Sequence, residues 1–162
     1  MTELQFIIDQ LQRMYAGGAW HGPSVREALD GVSFELATKR LGQSSHSIYD
    51  LVHHLAAWIG EVHARLKGRA AQLPDEGDFP ARTTMPSEAD WDAVRQQLDT
   101  QHATLMADLE FLDPMRLQDL IGSSSSAQSS AGRPLVAVLH GLVQHNAYHT
   151  GQIVLIRRAL GG

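Results

Sequence analysis

Apolar positions recur at three- and four-residue intervals in four long stretches of the chain, with polar residues filling the positions between. That spacing is the signature of helices of 3.6 residues per turn that turn one face to a core. From Thr2 to about Tyr15, Leu4, Ile7, Ile8, Leu11, Met14 and Tyr15 share a side, and Gly17-Gly18 ends the run. A second stretch begins near Ser45 and reaches about Lys67, with Ile48, Leu51, Val52, Leu55, Trp58, Ile59 and Val62 as its stripe. The third follows Ser87, which forms a capping-box pattern with Asp90, and carries Trp91, Val94, Leu98, Leu105, Leu109 and Leu112 inward until Asp113-Pro114 stops it. The fourth runs from Leu135 to Arg158 behind Pro134, a residue suited to a first helical turn. Ser24 and Ser33 are placed to cap two short helices between the first and second stretches. Gly68–Pro86 and the serine-rich Met115–Arg133 read as long connections, and nothing alternates as a strand would. The expected fold class is all-α, a four-helix bundle with long connecting loops, in one domain over residues 1–162.

The fourth stretch breaks its own pattern. Leu135, Val138, Leu139, Leu142, Ile153 and Ile156 form the stripe, yet His145 and His149 lie inside it and Gln152 sits on its flank. His140 points roughly the opposite way. Residues at i and i+4 stack about 6 Å apart on one helix face, so these two imidazoles can aim at one point. Bundle cores are places where facing helices build metal sites. Nine histidines in a chain of this length produce about 0.5 such pairs by chance, so the pair needs a third group from another helix. On the second helix His54 flanks the stripe while its neighbour His53 points about opposite, which makes His54 the candidate; His102, on the apolar face of the third, is the reserve. The bland alternative is a set of hydrogen-bonded core histidines.

Gln152 is placed to orient a histidine through its amide. Trp58 and Trp20 are positioned either at a pocket mouth or in the core, the core being the expectation. Glu61, about 10 Å along the helix from His54, reads as a solvated carboxylate, and His46 and His63 read as solvated too. His21 and His53 receive no role.

Composition narrows the chemistry. A net charge of -5 and a pI near 5.9 argue against a nucleic-acid partner, which would require clustered Lys and Arg. The chain has no cysteine, which removes disulfides, thiolate metal sites and a cysteine nucleophile. Neutral imidazoles suit zinc, nickel, copper or ferrous iron. No apolar run reaches the roughly 18 residues of a membrane span, and the first residues lack the basic-then-apolar order of a signal peptide. The expectation is a cytoplasmic protein without a membrane partner.

The order HSIYDLVHHLAAW in the second helix and HGLVQHNAYHTGQIVLIRRAL in the last resembles the DinB/YfiT-like superfamily over nearly the whole chain. The most specific part is His145-x3-His149-x-Gly151-Gln152-Ile153. The resemblance implies a four-helix bundle of up-up-down-down type, a homodimer, and a divalent ion such as zinc or nickel. Its ligands carry over to His54, which the following Leu55-Ala56 selects over His53, and to His145 and His149. Three neutral ligands leave an open position on the ion, the catalytic pattern. Relatives of this kind include thiol-dependent S-transferases and an isomerase, so the resemblance implies a small-molecule substrate and a low-molecular-weight thiol cosubstrate. Hydrolysis by metal-activated water is the alternative, and a non-catalytic structural metal site is the third reading.

Overall fold

The computed structural model describes residues 1–42, 46–79, 85–123 and 131–161. Its helices are α1 (Glu3–Ala16), α2 (Val25–Leu29), α3 (Phe34–Thr38), α4 (Ile48–Leu66), α5 (Glu88–Glu110) and α6 (Leu135–Ala159). A 3₁₀ turn at Pro114–Gln118 follows α5. The four long helices are those the hydrophobic spacing predicts, and they form an all-α bundle around one apolar cluster.

Local chemistry explains where each begins. Thr2, Ser24, Ser47 and Ser87 each accept a hydrogen bond from the backbone N–H three residues on, and the side chain there bonds back to the cap. These reciprocal capping boxes satisfy donors that a helix start otherwise leaves open. α4 therefore starts at Ile48 behind Ser47; the expected start near Ser45 lies outside the described residues. α6 has no side-chain cap, and Pro134 precedes it. Instead the Leu135 N–H donates to the Asp119 carbonyl at 2.9 Å, tying the start of α6 to the end of the 3₁₀ turn.

Packing centres on α4, which lies most extensively against α5 and next against α6. Leu51, Leu55 and Ile59 from α4, Leu98, Leu105 and Leu109 from α5, and Leu135, Leu139 and Ile153 from α6 are almost wholly withdrawn from water. Gly60 lets α4 and α5 approach closely, since a Cβ there would stand 3.1 Å from the Gln101 carboxamide.

Away from the histidines, the structure differs from the sequence reading in four places. A strand pair does exist: β1 (Leu120–Ile121) pairs antiparallel with β2 (Arg133–Pro134). Two residues are too few for any alternation to show. Trp20, expected in the core, is fully exposed, because Gly22 and Pro23 hold it in a turn outside the bundle. His63, expected to be solvated, is half-buried and bonds to the Asp108 carboxylate of α5.

Glu61 is the largest departure. Its side chain is buried and accepts from Arg65 Nε at 2.8 Å, from Arg69 Nη2, and from the Gln72 backbone N–H at 3.3 Å. The carboxylate pins the chain beyond α4 back against the helix. A buried carboxylate surrounded by its own donors is costly to disturb, because removing it leaves cations without a counter-charge in a poorly solvated place. Glu61→Ala is expected to lower the unfolding free energy by about 3 kcal/mol in urea titration, and Glu61→Gln, which retains an acceptor oxygen, by less. Equal loss in both variants would show that the negative charge is what matters.

Candidate metal centre

α4 and α6 place their histidines on one another. On α6, His145, His149 and Gln152 follow at i, i+4 and i+7, so all three share a face. On α4, His54 lies opposite them, followed by Trp58 one turn on. His54 Nε2 stands 2.9 Å from His145 Nε2 and 3.0 Å from His149 Nε2. One nitrogen from each of the three rings lies within 4.8 Å of the others, close enough to hold a single metal ion.

The far side of each ring decides what the near side offers. His54 Nδ1 faces the backbone carbonyl of Asp78, which can only accept, so Nδ1 carries the proton and Nε2 presents a lone pair. His149 Nδ1 donates to Gln152 Oε1 at 2.7 Å, and His145 Nδ1 points to Asn146 Oδ1 at 3.3 Å. Three oxygen acceptors behind three rings leave three lone pairs converging with no proton between them. That arrangement is repulsive by itself and becomes favourable around a cation, so this donor set fits a divalent metal.

Electrostatics point the same way. Burial lowers the pKa of all three histidines, and for His145 burial together with the neighbouring His149 brings it to about 4. The rings are therefore neutral at pH 7, the protonation state that ligation requires. Asp78 is the one nearby carboxylate that acts on all three, and it opposes the shift in each case.

Aromatic side chains wall the centre. Phe79 stacks on the His54 ring at 4.1 Å, and His46 stacks on the other side of Phe79 at 3.6 Å. Trp58 stands 6.3 Å from the His54 ring and 6.1 Å from that of His145, and donates through Nε1 to Asp78 Oδ1 at 2.9 Å. It is half-buried, at the rim rather than in the core. Tyr148, exposed, meets the His149 ring edge-on at 4.9 Å.

Of the residues singled out in the sequence, His54, His145, His149, Gln152 and Trp58 come together here. His102 does not belong to the group. It is buried on α5, stacked on Tyr15 at 3.8 Å, with no partner for its Nε2 among the described residues. Sequence reasoning missed Asp78, Phe79 and Asn146. Asp78 and Phe79 sit in an aperiodic connection, where spacing carries no information. Asn146 is a polar residue beside a histidine, buried because α6 is covered on more than its aliphatic stripe.

The fold and this centre define a helix bundle with a three-histidine site between two of its helices. A sequence profile described as the DinB superfamily matches residues 10–153, and the chain belongs to that superfamily. No curated protein and no solved structure gives a match.

His102 generates a pH prediction independent of the metal centre. Burial, with a smaller contribution from Arg26, brings its pKa to about 4, against 6.5 for an open histidine. Between those values the unfolded chain binds the proton and the folded chain does not. Stability is thus complete above about pH 6.5 and falls as pH drops toward 4, by up to about 3 kcal/mol for this group. The difference in unfolding free energy between the wild type and His102→Gln, measured across that range, is expected to carry this slope and to flatten above it.

Proposed function

We propose that the protein is a divalent-metal-dependent enzyme in which His54, His145 and His149 hold the ion and a small-molecule thiol is the group activated there, in S-transferase or isomerase chemistry. The observation that carries this reading is the convergence of three Nε2 lone pairs, each ring fixed from behind by an oxygen acceptor. Zinc and nickel are the ions we favour, because imidazole nitrogen suits both. A divalent ion held by three neutral ligands keeps its full charge and an open position, and so acidifies a thiol or water that reaches it.

The residues around the centre favour a thiol over water. No carboxylate joins the three histidines in the group, and the nearest one described, Asp78, has an oxygen engaged by the Trp58 indole. A thiol with an ordinary pKa of about 8.5 needs little help to ionise at neutral pH, whereas water starts near 15.7 and gains more from a general base. Trp58, Phe79 and Tyr148 supply the apolar and aromatic surroundings that suit a sulfur-bearing organic substrate.

Elemental analysis after dialysis against zinc or nickel is expected to find one ion per chain, lost in His54→Ala and in His149→Ala. Gln152→Leu, which removes the oxygen behind His149, should weaken metal affinity by roughly 10–100-fold without unfolding the bundle. Full metal retention in His54→Ala would reject the assigned set.

The thiol is tested with cobalt(II) in place of the native ion. Titration with mercaptoethanol is expected to produce intense near-ultraviolet absorption from sulfur-to-cobalt charge transfer. Unchanged spectra, together with thiol-independent hydrolysis of small esters that rises with pH, would favour the hydrolase instead.

A further inference from the structure

The α4 face that carries His54 does not end at Trp58. Arg65 follows at i+11 from His54, which returns it to almost the same angle on the helix. Its guanidinium lies over the Trp58 ring, with Cζ 5.7 Å from the centroid, on a tryptophan that already borders His54 and His145. On α6, Val138 stands seven residues before His145, again on nearly the same line. Both helices therefore carry one continuous face away from the histidines, and both reach the same place. There a cleft of about 360 Å³ opens between α4, α6 and the β1–β2 pair, with Arg65, Ala71, Ile121, Gly122, Arg133 and Val138 in its walls.

Two arginines line this cleft in an acidic chain, Arg65 paired to Glu61 and Arg133 open to solvent. No Asp or Glu lines it among the described residues, although the whole chain carries a net charge of -5. Arg65 is held rigidly: Nε donates to the buried Glu61 and Nη2 to the Gln72 carbonyl at 2.9 Å, which leaves Nη1 without a partner among the described residues. Arg133 is exposed, and among the described residues its side chain has no hydrogen-bond or ion-pair partner, while its backbone is fixed by pairing with Ile121. The wall between them is closely packed: Gly122 has φ +73°, and a Cβ there would stand 3.0 Å from that of Ala71. Two guanidinium donors facing one small cleft suit the two oxygens of a carboxylate.

We propose that the three-histidine centre and the Arg65–Arg133 cleft are two ends of one site, which takes an elongated substrate bearing a carboxylate at the end remote from its reacting atom. Trp58, with the Arg65 guanidinium over its ring, lies between the two ends, and the apolar middle of that substrate passes along its rim. This rests on the thiol reading above for the identity of the reacting end, but the carboxylate end stands on the cleft alone. Local positive charge here also offsets the repulsion that an anionic substrate meets from the chain as a whole.

The test uses the full-length cobalt-loaded protein and matched probes, mercaptooctanoate against mercaptooctanol and mercaptopropionate against mercaptopropanol, with affinity read from the charge-transfer absorption. The long acid is expected to bind about tenfold tighter than the long alcohol, while the short pair, unable to span the site, differs little. Arg133→Met, at an exposed position, should erase the preference for the acid and leave mercaptooctanol unchanged. Equal affinity of long acid and long alcohol on the wild type, or a preference that survives in Arg133→Met, would overturn the proposal while the thiol reading stands. Should no thiol produce the absorption, the thiol reading falls, and calorimetry of octanoate against octanol decides the cleft by itself. Octanoate binding that disappears in Arg133→Met supports the carboxylate end; no binding to the wild type overturns it.

Discussion

His54 Nε2 stands about 3 Å from Nε2 of both His145 and His149, and with their protons held on the outer ring nitrogens the three lone pairs are favourable together only around something positive. The rest of the site is arranged around that constraint. The Asp78 carbonyl, the Gln152 amide and the Asn146 amide each take a proton on the outer side of a ring, and each comes from a different kind of position. Gln152 is one turn from its histidine, Asn146 is adjacent to its own, and Asp78 arrives from a connection 24 residues along the chain from His54. Burial then keeps the rings neutral, so the same packing that builds the core also prepares the ligands.

The connection after α4 consequently has more to do than join two helices. It is pinned at one end by Glu61, through Arg69 and the Gln72 N–H, and reaches the centre at the other through Asp78 and Phe79. The Trp58 indole bonded to Asp78 holds that second end in register with α4. Arg65 links the two ends, since it binds Glu61 on one side and covers Trp58 on the other. A carboxylate buried two turns from the histidines thus helps to decide where a main-chain carbonyl meets His54.

Much of this was legible in the sequence because helices are local. Intervals of three and four residues located all four long helices, and Ser87 with Asp90 located a helix start to the residue. The same periodicity put His145, His149 and Gln152 on one face and preferred His54 to His53, which the structure shows half-buried against Tyr49. Periodicity failed where a residue's surroundings come from a distant segment. Glu61, on nearly the same side of α4 as His54, reads as a solvated carboxylate by residue type, yet the returning chain covers it; Trp20 looks like a core residue by composition, yet its turn leaves it outside.

The sequence by itself determined the class of fold, the helix faces and the candidate ligands, since each follows from the 100° rotation between neighbouring residues. It also determined the family, through a match that spans most of the chain. The tertiary structure then brought His54, the sequence's first choice, to the α6 pair and left the reserve His102 apart, which depends on how α4 and α5 are turned against α6. It alone assigned the protons, through Asp78, and joined Arg65 to Arg133 across nearly seventy residues of chain. Contacts of this range carry no spacing rule: they arise from how the long helices pack around one core and where the connections then run.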